Sequence, residues 1–291
     1  MRKNILTPKK VIQLGLDKVE VITTDMLKGY TRIGYRAFFR CYCLKFIDIP
    51  NSITSIGDEA FRDCISLTSV TIPNSVTSIG EWTFAYCKNL ASINIPNSVT
   101  GIGGHAFRGC ISLTSVTIPN SVTSIGEWAF VSCKNLTSIN IPNSVTSIGS
   151  LAFYNCYSLT SINIPNSVNY IGTDTFYGCD NLKSITINGE VYDENIVSNG
   201  KCKAYKIFHD DMIYRGFAYK EGKTYEFDGE LKLGKLGFHA CLRLGDVFNY
   251  LGGEIGTYIC VYEVELEGVS DERGKDSEVV AKKITIGKRI L

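Results

Sequence analysis

Ile102–Ser124 reads IGGHAFRGCISLTSVTIPNSVTS, and Ile125–Ser147 follows as IGEWAFVSCKNLTSINIPNSVTS. The two 23-residue stretches share one skeleton, I-G-x-x-x-F-x-x-C-x-x-L-x-x-[IV]-x-I-P-N-S-[VI]-x-x, and it recurs seven times between Ile33 and Asp193. Phenylalanine falls at 38, 61, 84, 107, 130, 153 and 176, and leucine at 44, 67, 90, 113, 136, 159 and 182. A fixed period of this length marks a repeat architecture, in which each unit is too small to bury its own apolar residues and does so by stacking on its neighbours. A second period of 46 overlies the first. Units two and four share CISLTSVTI, while units three and five share CKNLxSINI.

Each piece of the unit has a local reason for its shape. In Leu113–Ile118, Val116 and Ile118 alternate with Ser115 and Thr117, the period-two pattern of a half-buried strand. Pro119 has no N–H and ends that strand, and Asn120-Ser121 supplies turn chemistry. Val122–Ile125 is a second, shorter extended piece, closed by Gly126. In Glu127–Cys133, Phe130 and Cys133 are three apart and Ala129 and Cys133 four apart, which predicts one short helical turn. The fold class expected is therefore an α/β repeat solenoid of parallel strands, followed by a small α+β domain. The boundaries are an N-terminal cap over 1–32, which holds the degenerate echo KVEVITTDMLKGYTRIG, then the solenoid over 33–193, a linker over 194–201 and the small domain over 202–291.

Eleven cysteines suggest a disulfide framework until they are placed. Seven of them, from Cys41 to Cys179, recur once per repeat at one phase, which makes a column of buried thiols and not a set of pairs. The Cys41-Tyr42-Cys43 spacing does not match a metal-ligand pattern, so no metal or cofactor is expected. The net charge is +1, and its small basic excess sits in residues 1–32, with seven Lys/Arg against three Asp/Glu. Phosphate binding needs a basic stripe, which argues against nucleic acid as the main partner. The N-terminus carries no apolar run of signal-peptide length, and no stretch has the ~18 apolar residues of a membrane helix. The chain is expected to be soluble, not inserted in a membrane and not exported by the standard route.

The segments IPNSVTSIGEWAF (118–130) and CKNLTSINIPNSV (133–145) resemble the BspA-type leucine-rich repeats of bacterial surface antigens and many protist proteins. That resemblance implies a solenoid that binds proteins or host surfaces, without enzymatic activity in the repeats. The candidate binding face is the outward row of the longer strands: Ser69, Thr71, Ser92, Asn94, Ser115, Thr117, Ser138, Asn140, Ser161 and Asn163, extended by Ser184/Thr186 and begun by Phe46/Asp48. It lacks the Trp, Tyr and Arg typical of strong protein hot spots. Variation lies near the expected helical turn, at Arg62, Trp82, Tyr86, His105, Arg108, Trp128, Val131, Tyr154, Tyr157 and Tyr177. Trp82 and Trp128 are either packed between units or exposed anchors, and His105 is expected at the surface.

After Asp193 the character changes. AYKIFHDDMIYRGFAY predicts two strands around an Asp-Asp turn, LGDVFNYL a helix, and YICVYEVELEG and VVAKKITIG two further strands. YRGF (214–217) with EGKTYEFDGELKLGKLGFHACLRLGDVFNY (221–250) resembles an uncharacterised domain at the ends of phage and bacterial proteins, which implies no established activity. A looser similarity to ADP-ribosyltransferases would place Arg215 with Gly216 on the dinucleotide, Tyr250 on the nicotinamide ring and Glu263 or Glu265 as the catalytic carboxylate. The competing reading of these residues is a structural strand and a packed aromatic. His239, beside Cys241, reads as a buried, hydrogen-bonded histidine more than as a base or ligand. Three functions remain on the sequence alone: a non-enzymatic protein-interaction module, a repeat array delivering a C-terminal enzyme, and a rigid spacer in a phage or surface assembly.

Overall fold

A computed structural model of the chain describes residues 4–187, 190–193, 201–209, 213–214, 217–218, 221–226, 238–241, 259–269 and 278–289. The chain divides into two compact units, Met1–Leu182 and Lys183–Leu291, with the division inside the seventh repeat.

The first unit is a β-solenoid with few helices. Each repeat contributes a three- or four-residue strand, as in Ser92–Asn94, Ser115–Thr117, Ser138–Asn140 and Ser161–Ile164. It also contributes a two-residue strand, as in Gly101–Ile102, Ser124–Ile125, Ser147–Ile148 and Tyr170–Ile171. Both sets run parallel from coil to coil at a register of one repeat: Ser138 pairs with Ser115 and Ser161, and Ile125 with Ile102 and Ile148. Both rows are interrupted between the second and third repeats. The longer strands end one sheet at Ser69–Thr71, and the shorter ones end one at Ser55–Ile56; beyond the gap, Ile79 bridges forward to Ile102.

The core is a set of like-on-like columns. The phenylalanine rings from Phe38 to Phe176 stack with centroids 5.2–5.7 Å apart and planes within 10° of parallel. The leucine and cysteine columns are buried beside them. The cysteine column, and the serines and threonines that recur beside it, also satisfy backbone carbonyls of the preceding coil. Ser121 Oγ donates to the Val99 carbonyl at 2.6 Å, Thr123 Oγ1 to the Thr100 carbonyl at 3.2 Å, and Cys133 Sγ to the Phe107 carbonyl at 3.2 Å. The expected thiol column is therefore a packed one, and burial drives the Cys110 thiol up to about 12. The Pro-Asn-Ser-Val turn closes with Val122 N–H donating to the Pro119 carbonyl at 3.0 Å.

The expected helical turn is not a helix. Alternate N–H groups close short local turns, with Ala129 donating to Gly126, Val131 to Trp128 and Cys133 to Phe130. The N–H groups between them donate to the next coil, Trp128 to the Ser150 carbonyl, Phe130 to Ala152 and Ser132 to Tyr154, at 2.7–3.0 Å. A left-handed residue every fourth position, Trp128 at φ 58° and Ser132 at φ 59°, makes this alternation possible. The three- and four-residue spacings read as helical arise from this row of turns.

Ahead of the first repeat, Ile5–Leu6 pairs in parallel with Arg32–Ile33 and Val21–Ile22 with Phe46–Asp48, so residues 5–32 form a further coil. Its turn segment is replaced by the helix Pro8–Gln13, N-capped by the Thr7 hydroxyl, which accepts from Lys10 N–H at 3.3 Å.

In the second unit, Ser184–Ile187 pairs antiparallel with Glu190–Asp193. Lys201–His209, Phe238–Cys241, Ile259–Val269 and Glu278–Arg289 form an antiparallel sheet in which each strand has partners on both edges, so the four close into a ring. Thr224–Glu226 lies alongside Glu278–Arg289. Of AYKIFHDDMIYRGFAY, expected as two strands around an Asp-Asp turn, the part within Lys201–His209 pairs with Ile259–Val269 and Phe238–Cys241, Ile213–Tyr214 pairs with Phe217–Ala218, and Asp210-Asp211 lies outside the described residues. The helix expected in LGDVFNYL, and residues 194–200 of the linker expected over 194–201, lie outside the described residues, while Lys201 begins the strand Lys201–His209.

Candidate functional site

The predicted strand face is present as a row. Thr71, Ser92, Asn94, Ser115, Thr117, Ser138, Asn140, Ser161 and Asn163 are exposed, and Ser69 is half-buried. Parallel pairing holds like residues opposite like ones, Ser138 against Ser115 and Ser161, and Asn140 against Thr117 and Asn163. The face is flat, neutral and nearly uniform.

The opposite character is found where the turns carry their left-handed residues. Residues 36, 59, 82, 105, 128, 151 and 174 form one column of positive φ, and Arg40, Asp63, Tyr86, Gly109, Ser132, Asn155 and Gly178 a second. Phe39, Arg62, Arg108, Tyr154 and Tyr177 stand between them. In both columns neighbouring coils hold different side chains, and from Trp82 to Tyr177 the rings of this edge make a continuous ridge. His105 stacks on Trp82 with centroids 3.9 Å apart and on Trp128 at 5.6 Å. Trp128 then meets Tyr154 at 6.2 Å, and Tyr154 stacks on Tyr177 at 5.3 Å. The Trp82 and Trp128 alternatives thus resolve into one arrangement, half-buried and packed between units through His105. His105 is a half-buried spacer between indoles and not a plain surface residue. Val131 is buried in the core and does not contribute to the ridge.

Arginines lie across the rings. The Arg62 guanidinium is 4.7 Å from the Trp82 centroid, and Arg108 is 5.5, 5.8 and 5.4 Å from those of Trp82, Tyr86 and Trp128. At the N-terminal end, Glu59 is gripped by both Arg36 Nη2 contacts at 2.9–3.0 Å, by Arg62 Nη1 at 2.8 Å and by the Tyr35 hydroxyl at 2.9 Å. Burial pushes the Glu59 carboxyl up, but hydrogen bonds from Arg36, Tyr35 and Arg62 outweigh it and hold it below the ordinary value. Arg108 has no carboxylate within 4.0 Å among the described residues; there its guanidinium makes a hydrogen-bond contact from Nη1 to His105 Nδ1 at 3.4 Å. An arginine only donates, so Nδ1 accepts and the imidazole proton lies on Nε2. Burial, with Arg108 and then Arg62 adding repulsion, lowers His105 to about 4, so the ring is neutral near pH 7.

Sequence reasoning found the middle of this ridge but missed Tyr35, Arg36, Phe39, Arg40 and Glu59. The available signal was phase: 36 and 59 lie in the same column as Trp82 and Trp128. Of the speculative catalytic set, Glu263 and Glu265 sit on Ile259–Val269, half-buried and exposed respectively, while Arg215 and Tyr250 lie outside the described residues. His239 pairs with Val280 in the sheet. Among the described residues no cluster of His, Cys, Asp and Glu could hold a metal ion, and no helix is long and apolar enough to cross a membrane.

Parallel strands stacked at a 23-residue period, with leucine, phenylalanine and cysteine columns inside, define a leucine-rich-repeat solenoid. The chain belongs to the BspA type leucine-rich repeat family, whose model matches in six copies over 17–130 and 100–208. Residues 202–291 match a domain of unknown function, DUF7666. Among solved structures, the chain is similar to the leucine-rich repeat protein TpLRR of T. pallidum, at 31% identity and a TM-score of 0.54, covering 57% of this chain and 78% of that one. A leucine-rich repeat protein from Bacteroides ovatus is 26% identical with a TM-score of 0.35, covering 54% and 64%. A leucine rich cell surface protein from Faecalibacterium prausnitzii is 24% identical with a TM-score of 0.29, covering 58% and 79%. No relative among curated proteins matches the chain.

Proposed function

We propose that this protein is a non-enzymatic binding module that recognises another protein through the turn-side ridge from Arg36 to Tyr177, and that residues 1–32 cap the solenoid. The observation that carries this reading is the segregation of side-chain types. The strand face presents small residues repeated from coil to coil, whereas Arg, Trp and Tyr, the residues that dominate protein interfaces, converge on the ridge. Stacking also lowers the entropy that these rings lose on binding, because their rotamers are already fixed by neighbouring coils. The strand-face residues, Ser69 to Asn163, act in this reading as a soluble wall.

The test is selection of a displayed random-peptide library on the full chain. Trp128→Ala and Tyr154→Ala on the ridge should each abolish retention of the selected peptides. Thr117→Lys and Asn140→Lys on the strand face should leave it unchanged, with thermal melts reporting that all four variants fold. Retention lost on the face and kept on the ridge would place recognition on the strands and refute the proposal.

A further inference from the structure

The charge on the ridge is spaced as well as clustered. At its N-terminal end Arg36, Arg40 and Arg62 are paired within 4.0 Å with Glu59 and Asp63. The next cation along the ridge is Arg108, one 46-residue super-period after Arg62 and without a carboxylate within 4.0 Å among the described residues. Two coils separate them, about 10 Å at the ~4.8 Å spacing of parallel strands. Both guanidiniums lie on indole rings, which fixes their planes and leaves donors for a ligand. The rings stack on one another, so they turn their edges outward, and ring edges carry the positive end of the quadrupole. The ridge is therefore rich in donors and complementary to an anionic partner.

The surroundings restrict what that partner can be. Asp58, Glu81 and Glu127 are exposed beside the left-handed column, and only Gly104 interrupts them, in the coil that carries Arg108. A uniform polyanion laid along the ridge would meet these acids, whereas a chain with isolated charges at the right interval would not. That interval selects a backbone conformation. In an extended strand, residues on one face recur every ~6.6 Å or ~13 Å, so carboxylates on that face do not match 10 Å. A polyproline II helix rises ~3.1 Å per residue with three residues per turn, so every third residue returns to the same face after ~9.3 Å. Aromatic-lined surfaces are also the usual docking sites of that helix.

We infer that the ridge binds an acidic polyproline II segment of a partner protein, with carboxylates three residues apart placed on Arg62 and Arg108. The inference rests on the proposal that the ridge is the recognition surface. The probe is a fluorescein-labelled peptide of repeated Glu-Pro-Pro triplets, titrated with the full chain by fluorescence anisotropy. It should bind saturably, and binding should fall steeply as salt is raised from about 0.1 M to about 1 M, where the Debye length shortens from about 10 Å to about 3 Å. Arg62→Gln and Arg108→Gln should each weaken binding about fivefold to tenfold, Arg108→Lys by an intermediate amount because it keeps the charge and loses the planar fork, and Arg32→Gln on a short strand not at all. Absence of binding, equal binding of a Glu-Pro doublet peptide, or indifference to Arg108→Gln in a folded variant overturns the inference. Heparin competing equally well overturns it in favour of a polyanion site. If library selection is ridge-dependent but yields peptides without spaced acids, the recognition surface stands and the acidic-segment inference fails.

Discussion

Replacing Gly126 with alanine tests the feature on which the solenoid depends, direct backbone contact between coils. A Cβ at Gly126 would lie 2.7 Å from both the Gly103 carbonyl carbon and the Gly104 nitrogen, and 2.9 Å from the Ile102 oxygen. All three are backbone atoms of the preceding coil, so no rotamer change relieves the clash. The two coils must separate, which stretches the 2.9 Å bond from Gly126 N–H to the Ile102 carbonyl. Overpacking costs about 1–3 kcal/mol and a weakened hydrogen bond about 1 kcal/mol, so the expected loss is about 3 kcal/mol. Gly101 is the control, one position before Ile102. Its added Cβ would meet only Ser124 Oγ at 3.6 Å, an ordinary contact, and serine occupies this phase at Ser55, Ser78, Ser124 and Ser147. Gly101→Ala should stabilise by about 0.4–1 kcal/mol by restricting the unfolded chain. In thermal melts followed by circular dichroism, Gly126→Ala should lower Tm by about 6–12 °C and Gly101→Ala should raise it by about 1–4 °C. An unchanged Tm for Gly126→Ala, or equal losses for the two variants, would refute the close-contact reasoning.

Phe130→Ala removes a ring stacked at 5.2 Å on Phe107 and at 5.6 Å on Phe153, whereas Phe38 has a stacking partner only in Phe61, so urea unfolding should show Phe130→Ala costlier by about 0.5–1.5 kcal/mol within a loss of about 3–5 kcal/mol. Among the eight cysteines from Cys41 to Cys179, Cys43 is the exposed one, so peptide-level mass spectrometry after brief alkylation should find it labelled, and Cys64, Cys87, Cys110, Cys133, Cys156 and Cys179 labelled only in denaturant. His105 has its folded-state value lowered from 6.5 to about 4, so the unfolded chain binds the extra proton first; this contribution is present above 6.5 and is lost as pH falls from there towards 4. His105→Gln should flatten that part of the stability profile, and fluorescence of the two tryptophans should titrate near pH 4 and not near 6.5.

The repeat skeleton was legible because its chemistry is local or strictly periodic. Proline, Asn-Ser and the Ser-Val-Thr alternation declare turn and strand within a few residues, and a column at a 23-residue phase has nowhere to go but onto its copy in the next coil. The turn segment was misread because Phe130, Cys133 and Ala129 satisfy helical spacing as well as they satisfy a row of turns. The deciding fact, that alternate N–H groups donate to Ala152 and Tyr154 of the next coil, is not local. In the C-terminal unit, Lys201–His209 found its partners at Ile259–Val269 and Phe238–Cys241, far along the chain, and strand propensity names no partner.

By itself, the sequence determined the solenoid, its period, the buried thiol column and the plainness of the strand face, since each follows from residue type at a fixed phase. Only the tertiary structure decided the ridge. His105 between Trp82 and Trp128, Arg108 across three rings and Glu59 shared by Arg36 and Arg62 join residues of neighbouring coils, 20 to 26 apart, or three apart within one turn. Their contact depends on left-handed turns that project unlike side chains from successive coils to one edge, and no pattern within a single repeat encodes that direction.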